Sequence, residues 1–288
     1  MLLAVPNVSE GRDAETLRAI GDALTQGGAR VLDIHADPDH HRAVFTLAGR
    51  PGTLAPAVLE GARVAAERID ITNHPGRHPH VGALDVAPVV YLAKDDRGAA
   101  VAEALVLGDL IGETLGVPVL LYGALSNGRT RAELRKGGPH ELARRLDAAE
   151  LTPDFGPPHA HPTAGATLVT ARPPLVAFNL ELAAPATEED ARKIAAAIRE
   201  GGPEGLPGVK AIGLSLPARK NVAQVSLNVE NPHAIPLARI VQTVARYAPI
   251  SEAELVGLAP ANAFDGFPSD LPVRNRRTLE ETLSAADE

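Results

Sequence analysis

Apolar positions along this chain switch repeatedly between the two-residue period of strands and the 3.6-residue period of helices. Leu2 to Pro6 reads as a short strand, and Asp13 stands where a cap would start a helix, with Leu17, Ile20 and Leu24 following at helical spacing. Arg30 to His35 and Arg42 to Leu47 are two further strands across the turn signal Asp37-Pro38-Asp39. After Pro51-Gly52 an Ala- and Val-rich helix runs to about Ile69, and Ala83 to Leu92 is the next strand. The order is βαββαβ, the signature of a split βαβ, or ferredoxin-like, unit.

A helix near Ala99 to Leu115, a strand from Val117 to Tyr122 and short helices between Arg129 and Asp147 extend this unit. From Thr152 to Thr163 regularity stops in a Pro-, Gly- and His-rich segment too long for a simple turn, which reads as a structured functional loop or a linker. Then the order restarts. Leu175 to Leu182 is a strand, Thr187 caps a helix with Ala191, Ile194, Ala195 and Ile198 on one face, and Val209 to Leu216 and Asn221 to Val229 are strands. A helix from Leu237 to Ala248 and a strand from Glu254 to Leu258 complete a second βαββαβ. The prediction is therefore α+β: two ferredoxin-like subdomains forming a duplicated α/β sandwich, 1–172 and 173–288, meeting near Arg172-Pro173-Pro174. Val222 to Val229 alternates cleanly, and its polar face, Gln224, Ser226 and Asn228, is either wet or a cleft wall.

Composition narrows the chemistry. The 288 residues contain no cysteine, which removes disulfides, thiolate metal sites and Cys nucleophiles. A formal net charge of -8 with 3% aromatic residues argues against sequence-independent nucleic-acid binding. The start, Met-Leu-Leu-Ala-Val-Pro-Asn, lacks the basic flank of a signal peptide, and no apolar run reaches membrane-spanning length, so a cytoplasmic protein without membrane partners is expected. There is no Gly-x-Ser-x-Gly elbow, no Walker pattern and no Gly-x-Gly-x-x-Gly after a strand.

The densest signal is His74-Pro75-Gly76-Arg77-His78-Pro79-His80-Val81-Gly82-Ala83-Leu84-Asp85, just ahead of a strand. Pro79 restricts His78 toward extended backbone, and an imidazole presented reproducibly suits proton transfer near neutrality. His35, His40, His41, His74, His78 and His80 also raise the question of a metal, but no His-Glu-x-x-His pair occurs and ordinary capping explains the nearby carboxylates, so no metal is expected.

These segments together resemble the formiminotransferase domain. The carrying blocks are Val5-Pro6-Asn7-Val8-Ser9-Glu10-Gly11, Gly76 to Val86, Val117-Pro118-Val119 with Leu121-Tyr122-Gly123, Pro153-Asp154-Phe155-Gly156-Pro157, Gly165-Ala166-Thr167, Ala177-Phe178-Asn179 and Leu255-Val256-Gly257-Leu258. The resemblance implies a homodimer that transfers the formimino group of N-formimino-L-glutamate to N5 of tetrahydrofolate, a co-substrate, with no cyclodeaminase segment following. It puts the family's catalytic histidine on His78. It puts the folate-contacting loop on Gly156, Pro157, Pro158, His159, Ala160, His161, Pro162, Thr163, Ala164 and Gly165, where His159 and His161 depart from the family pattern. Arg42, Arg77 and Arg172 are candidate carboxylate anchors, because a guanidinium grips a carboxylate bidentately. The alternatives are formyl transfer between N-formylglutamate and folate, a non-catalytic small-ligand-binding protein, and a histidine-metal hydrolase.

Overall fold

The computed structural model describes residues 1–76 and 78–285. The chain divides into two compact units, Met1–Pro173 and Pro174–Glu288.

In the first unit the elements are β1 (Leu2–Ala4), β2 (Asn7–Val8), α1 (Ala14–Gln26), β3 (Arg30–Asp37), β4 (Arg42–Gly49), α2 (Leu54–Arg68), β5 (Leu84–Tyr91), α3 (Arg97–Leu115), β6 (Val119–Leu121), α4 (Arg131–Arg135), α5 (Gly138–Asp147) and β7 (Thr167–Arg172). Asp13 caps α1 through its side chain, which accepts the Glu15 amide, as its position in the sequence predicts. β1 and β2 lie successively between β4 and β5, antiparallel to both, while β3 pairs with the far edge of β4. β7 continues the sheet parallel to β5, and β6 runs parallel to β7. The segment from Val5 to Gly11 is thus more than a connection: Asn7 and Val8 carry the first strand onward after a break at Pro6.

Helices α1 to α3 cover one face of this sheet. Phe45, Leu47, Val89 and Val169 from the strands meet Ile20, Leu24, Val58, Leu107 and Ile111, all within 1% of full burial. Each such side chain contributes about 1.5–3 kcal/mol on burial. The opposite face carries a smaller core in which Val86, Leu120, Tyr122 and Leu168 pack with Leu134, Leu142 and Leu146 of α4 and α5. β7 follows the irregular segment directly and pairs on both sides, so its six residues lack the alternation by which sequence could single them out.

The second unit contains β8 (Val176–Leu182), α6 (Glu188–Ile198), β9 (Val209–Leu216), β10 (Val222–Val229), α7 (Leu237–Ala245), β11 (Ile250–Val256), β12 (Val273–Arg274) and α8 (Leu279–Ala285). Its sheet order is β12-β11-β8-β10-β9, so its first four strands interleave in the same order as the four of the βαββαβ run in the first unit. Thr187 and Asp190 form a full capping box at the start of α6. Val176, Phe178, Val225, Leu227 and Leu255 face Ile194, Ile198, Ile240 and Val244 of α6 and α7. On the other face Gln224 is fully buried, as nearly are Asn179, Glu181 and Glu254, and Arg274 binds Glu181 and Glu252. Of the polar stripe of β10, Gln224 is therefore covered, while Ser226 and Asn228 stay partly exposed. No helix of the described residues is long and apolar enough to cross a membrane.

Candidate active site

Three stretches of the first unit are laced together around the histidine-rich loop. Ser9 donates its hydroxyl to the Gly82 carbonyl (2.7 Å) and its amide to the Ala83 carbonyl (2.9 Å). The turn between β3 and β4 is pinned by Asp37, whose carboxylate accepts the amides of Asp39 and His40 at 2.8 Å each. Gly11 lies so close to this turn that a Cβ there would stand 2.2 Å from the Asp37 carbonyl oxygen. His74 fastens the third stretch. Its Nε2–H reaches the carbonyls of Ser9 and His41 at 3.1 Å each, and its Nδ1 accepts the Gly76 amide at 3.2 Å. His41 stacks on His74 with ring centroids 4.5 Å apart, and His80 tilts against it at 4.1 Å. Burial, with the charges of His80 and His41 nearby, pushes the His74 imidazole down to about 4, so it serves as a neutral structural clasp.

His78 is held differently. Its Nδ1 lies 2.8 Å from the Pro79 carbonyl oxygen. A carbonyl only accepts, so Nδ1 carries the hydrogen and Nε2 keeps its lone pair. Burial and the positive charges of Arg42, Arg135 and His40 hold His78 well below the ordinary imidazole value, whereas its bond to Pro79 works the other way. At neutral pH the ring is therefore neutral, and its Nε2 makes no hydrogen bond among the described residues. His40 stands beside it, ring centroids 5.9 Å apart, and its buried Nε2 makes no hydrogen bond among the described residues.

Beneath the loop Asp85 is completely buried. One carboxylate oxygen accepts Arg42 at 2.6 Å and also Arg135, and the other accepts the Val81 amide at 2.8 Å. Burial alone would push this carboxyl up, but Arg135 and Arg42 outweigh it and keep the group ionised below the usual carboxylate range. Burial likewise lowers Arg42 to about 10, which leaves it charged at neutral pH. Asp85 owes its aim to a bulge: Asn7 pairs with Val86 while Val8 pairs with Leu84, so Asp85 is the extra residue.

The structure brings His78, the Asp85 cluster and the far end of the predicted folate loop into one strip. Ile71 donates to the Thr163 carbonyl (3.0 Å), Ala83 to the Ala164 carbonyl (2.9 Å) and Ala166 to the Val81 carbonyl (3.0 Å). Gly165 has φ +68°, and a Cβ there would fall 2.2 Å from the Val81 carbonyl oxygen. Within the loop His161 and Gly165 exchange backbone hydrogen bonds, and the His161 ring accepts the Ala164 amide at 3.0 Å, while Pro158, His159 and Pro162 are exposed. Among the arginines, Arg42 is committed to Asp85 and to the Asn7 side chain (3.1 Å). Arg172 closes β7 and donates to the Pro173 carbonyl at 2.9 Å. Arg77 lies outside the described residues. Sequence reading overlooked Arg131, Arg135 and Tyr122. A signal for the cluster was present in Asp85, a lone carboxylate in an otherwise apolar strand, since a buried charge requires partners. Among the described residues no three His, Asp or Glu side chains converge as a metal site would require.

The family profile "Formiminotransferase domain, N-terminal subdomain" matches residues 1–172, and the profile "Formiminotransferase domain" matches 177–266. The formimidoyltransferase-cyclodeaminase of Gallus gallus is 39% identical over 273 residues, covering 90% of this chain and 50% of that protein. The chain thus spans about half the length of that relative. The glutamate formimidoyltransferases of Streptococcus pyogenes serotype M1 and Thermoplasma acidophilum are 36% and 37% identical, each aligned over 90% of this chain and over 89% and 88% of their own lengths. With both subdomain profiles matched in order and these relatives aligned over nearly the whole chain, this protein belongs to the formiminotransferase family.

Proposed function

We propose that this protein transfers the formimino group of N-formimino-L-glutamate to N5 of tetrahydrofolate, giving 5-formiminotetrahydrofolate and glutamate. The observation that carries the reading is the state of His78, a neutral ring whose Nδ1–H is spent on Pro79 and whose Nε2 has no partner among the described residues. The names of the relatives, glutamate formimidoyltransferase and formimidoyltransferase-cyclodeaminase, support the reaction class.

N5 attacks the formimino carbon, and Nε2 of His78 takes the N5 proton. The resulting imidazolium returns that proton to the glutamate nitrogen as its bond to carbon breaks, so one histidine serves both steps and ends neutral. Both substrates must be held in register for this, which is the larger share of the work. The loop Gly156 to Gly165 is assigned the folate contacts: it is fastened to the strand leading from His78, and Pro157, Pro158 and Pro162 limit what ordering it costs to bind. The working form is a cytoplasmic homodimer needing no metal.

The test is turnover by purified protein of N-formimino-L-glutamate with tetrahydrofolate, beside N-formyl-L-glutamate and with chelator present. Formimino transfer at full rate in chelator is expected. Exclusive use of the formyl donor would replace the reading with formyl transfer, and no turnover with either would leave a ligand-binding protein.

A further inference from the structure

Around Asp85 the arginines of the described residues outnumber the carboxylates that pair with them. Arg42 and Arg135 share a single carboxylate, Asp85. Arg131, one turn before Arg135 on α4, makes no ion pair among the described residues, and its charge adds to those depressing Arg42. The neighbouring carboxylates are engaged elsewhere: Asp154 by Arg129 and the Leu121 amide, and Glu133 by the capping box with Thr130. Two polar atoms here are also buried without a partner among the described residues, Nε of Arg135 and the hydroxyl of Tyr122. Tyr122 is 6% exposed, and the Arg131 guanidinium lies over its ring at 5.7 Å. Leu134, 1% exposed, seats α4 on the core, so these arginines project from a fixed platform.

Burying surplus positive charge and orphaned donors is unfavourable unless a ligand completes the set. The completing ligand is an anion that accepts several hydrogen bonds at once, as a carboxylate does. We propose that Arg131, Arg135 and Tyr122 form the seat of the donor's α-carboxylate, a subsite that rests on the transfer reading above. Two carboxylate sources are available, the donor and the glutamate tail of folate. The α-carboxyl carbon of the donor is only two bonds from the nitrogen that leaves, so it must lie beside the group that protonates that nitrogen. The folate tail is separated from N5 by a whole aromatic spacer. Arg42 and Arg135, joined through Asp85, both act on His78, and Arg131 stands one turn from Arg135 on the same helix, which selects the donor.

The experiment compares wild type with Arg131→Gln and Tyr122→Phe. Arg131→Gln is expected to raise the donor KM about 10- to 100-fold, with kcat changed less than about threefold, and Tyr122→Phe to raise it about 3- to 10-fold. Two substrates separate the sources. With N-formimino-γ-aminobutyrate, which lacks the α-carboxylate, wild type is expected to be poor and Arg131→Gln no worse; with tetrahydropteroate, which lacks the tail, the defect of Arg131→Gln is expected to persist. A defect confined to substrates carrying the folate tail, or unchanged donor KM in both variants with native melting temperatures, overturns the assignment. Should wild type show no turnover, the transfer reading fails, yet calorimetric titration with L-glutamate still decides the subsite: binding lost in Arg131→Gln supports it, and equal binding in both refutes it.

Discussion

At the scale of single residues, burial and charge decide what each histidine can do. His78→Ala is expected to lower kcat by about 10²–10⁴-fold, the usual contribution of a positioned proton carrier, with the KM values shifting far less. His140→Ala, at an exposed position of α5, is the control, since His74 and His80 hold the histidine loop together through the Ser9, His41 and His78 carbonyls. On the proposed mechanism His78 acts in its neutral form, and since its environment disfavours the charged form, kcat/KM should stay level as pH falls from 8 through the ordinary imidazole value of about 6.5 and decline only below it. An acid limb centred at or above 6.5 would contradict this. Stability follows the same sign. His74 resists protonation in the folded state, so its contribution is complete above about 6.5 and is lost as pH falls through about 4, seen as a falling melting temperature that flattens in His74→Asn. Asp85→Asn leaves two buried guanidiniums without their counter-charge and should cost about 3–5 kcal/mol in denaturant unfolding.

At the scale of elements, most strands and helices were legible because alternation and capping are local. Leu17, Ile20 and Leu24 mark α1, and Thr187 with Asp190 marks α6. What escaped was short or set by partners: β2, β7 and β12 exist through the strands they pair with. The attachment of loop 156–165 to the His78 strip was equally invisible. It turns on one left-handed residue, so Gly165→Ala should force the loop off Val81, abolish folate binding and lower stability, measured by folate-analogue titration and thermal unfolding. Full folate affinity in that variant would show that the loop and the strip are not coupled. In α4, Thr130→Ala removes a cap worth about 1 kcal/mol, and a raised donor KM at unchanged kcat is the expected reading if this helix carries the carboxylate seat.

At the scale of the whole molecule, each unit possesses its own buried core, so 1–173 and 174–288 expressed separately should each give a cooperative thermal transition; a fragment without one would show that its core is insufficient alone. The net charge of -8 says nothing of the arginine surplus around Asp85, because totals average over position. By itself the sequence determined the repeated βαββαβ order, the histidine loop and the family resemblance, since these rest on periodicity and contiguous motifs. Only the tertiary structure decided that Asp85 is shared by Arg42 and Arg135, that His74 is a clasp while His78 gives its Nδ1 hydrogen to Pro79, and that Gln224 of β10 is buried. The reason is physical. Protonation state, charge pairing and burial depend on atoms brought together from distant parts of the chain, and position 135 meets position 85 only once the strands and α4 have packed.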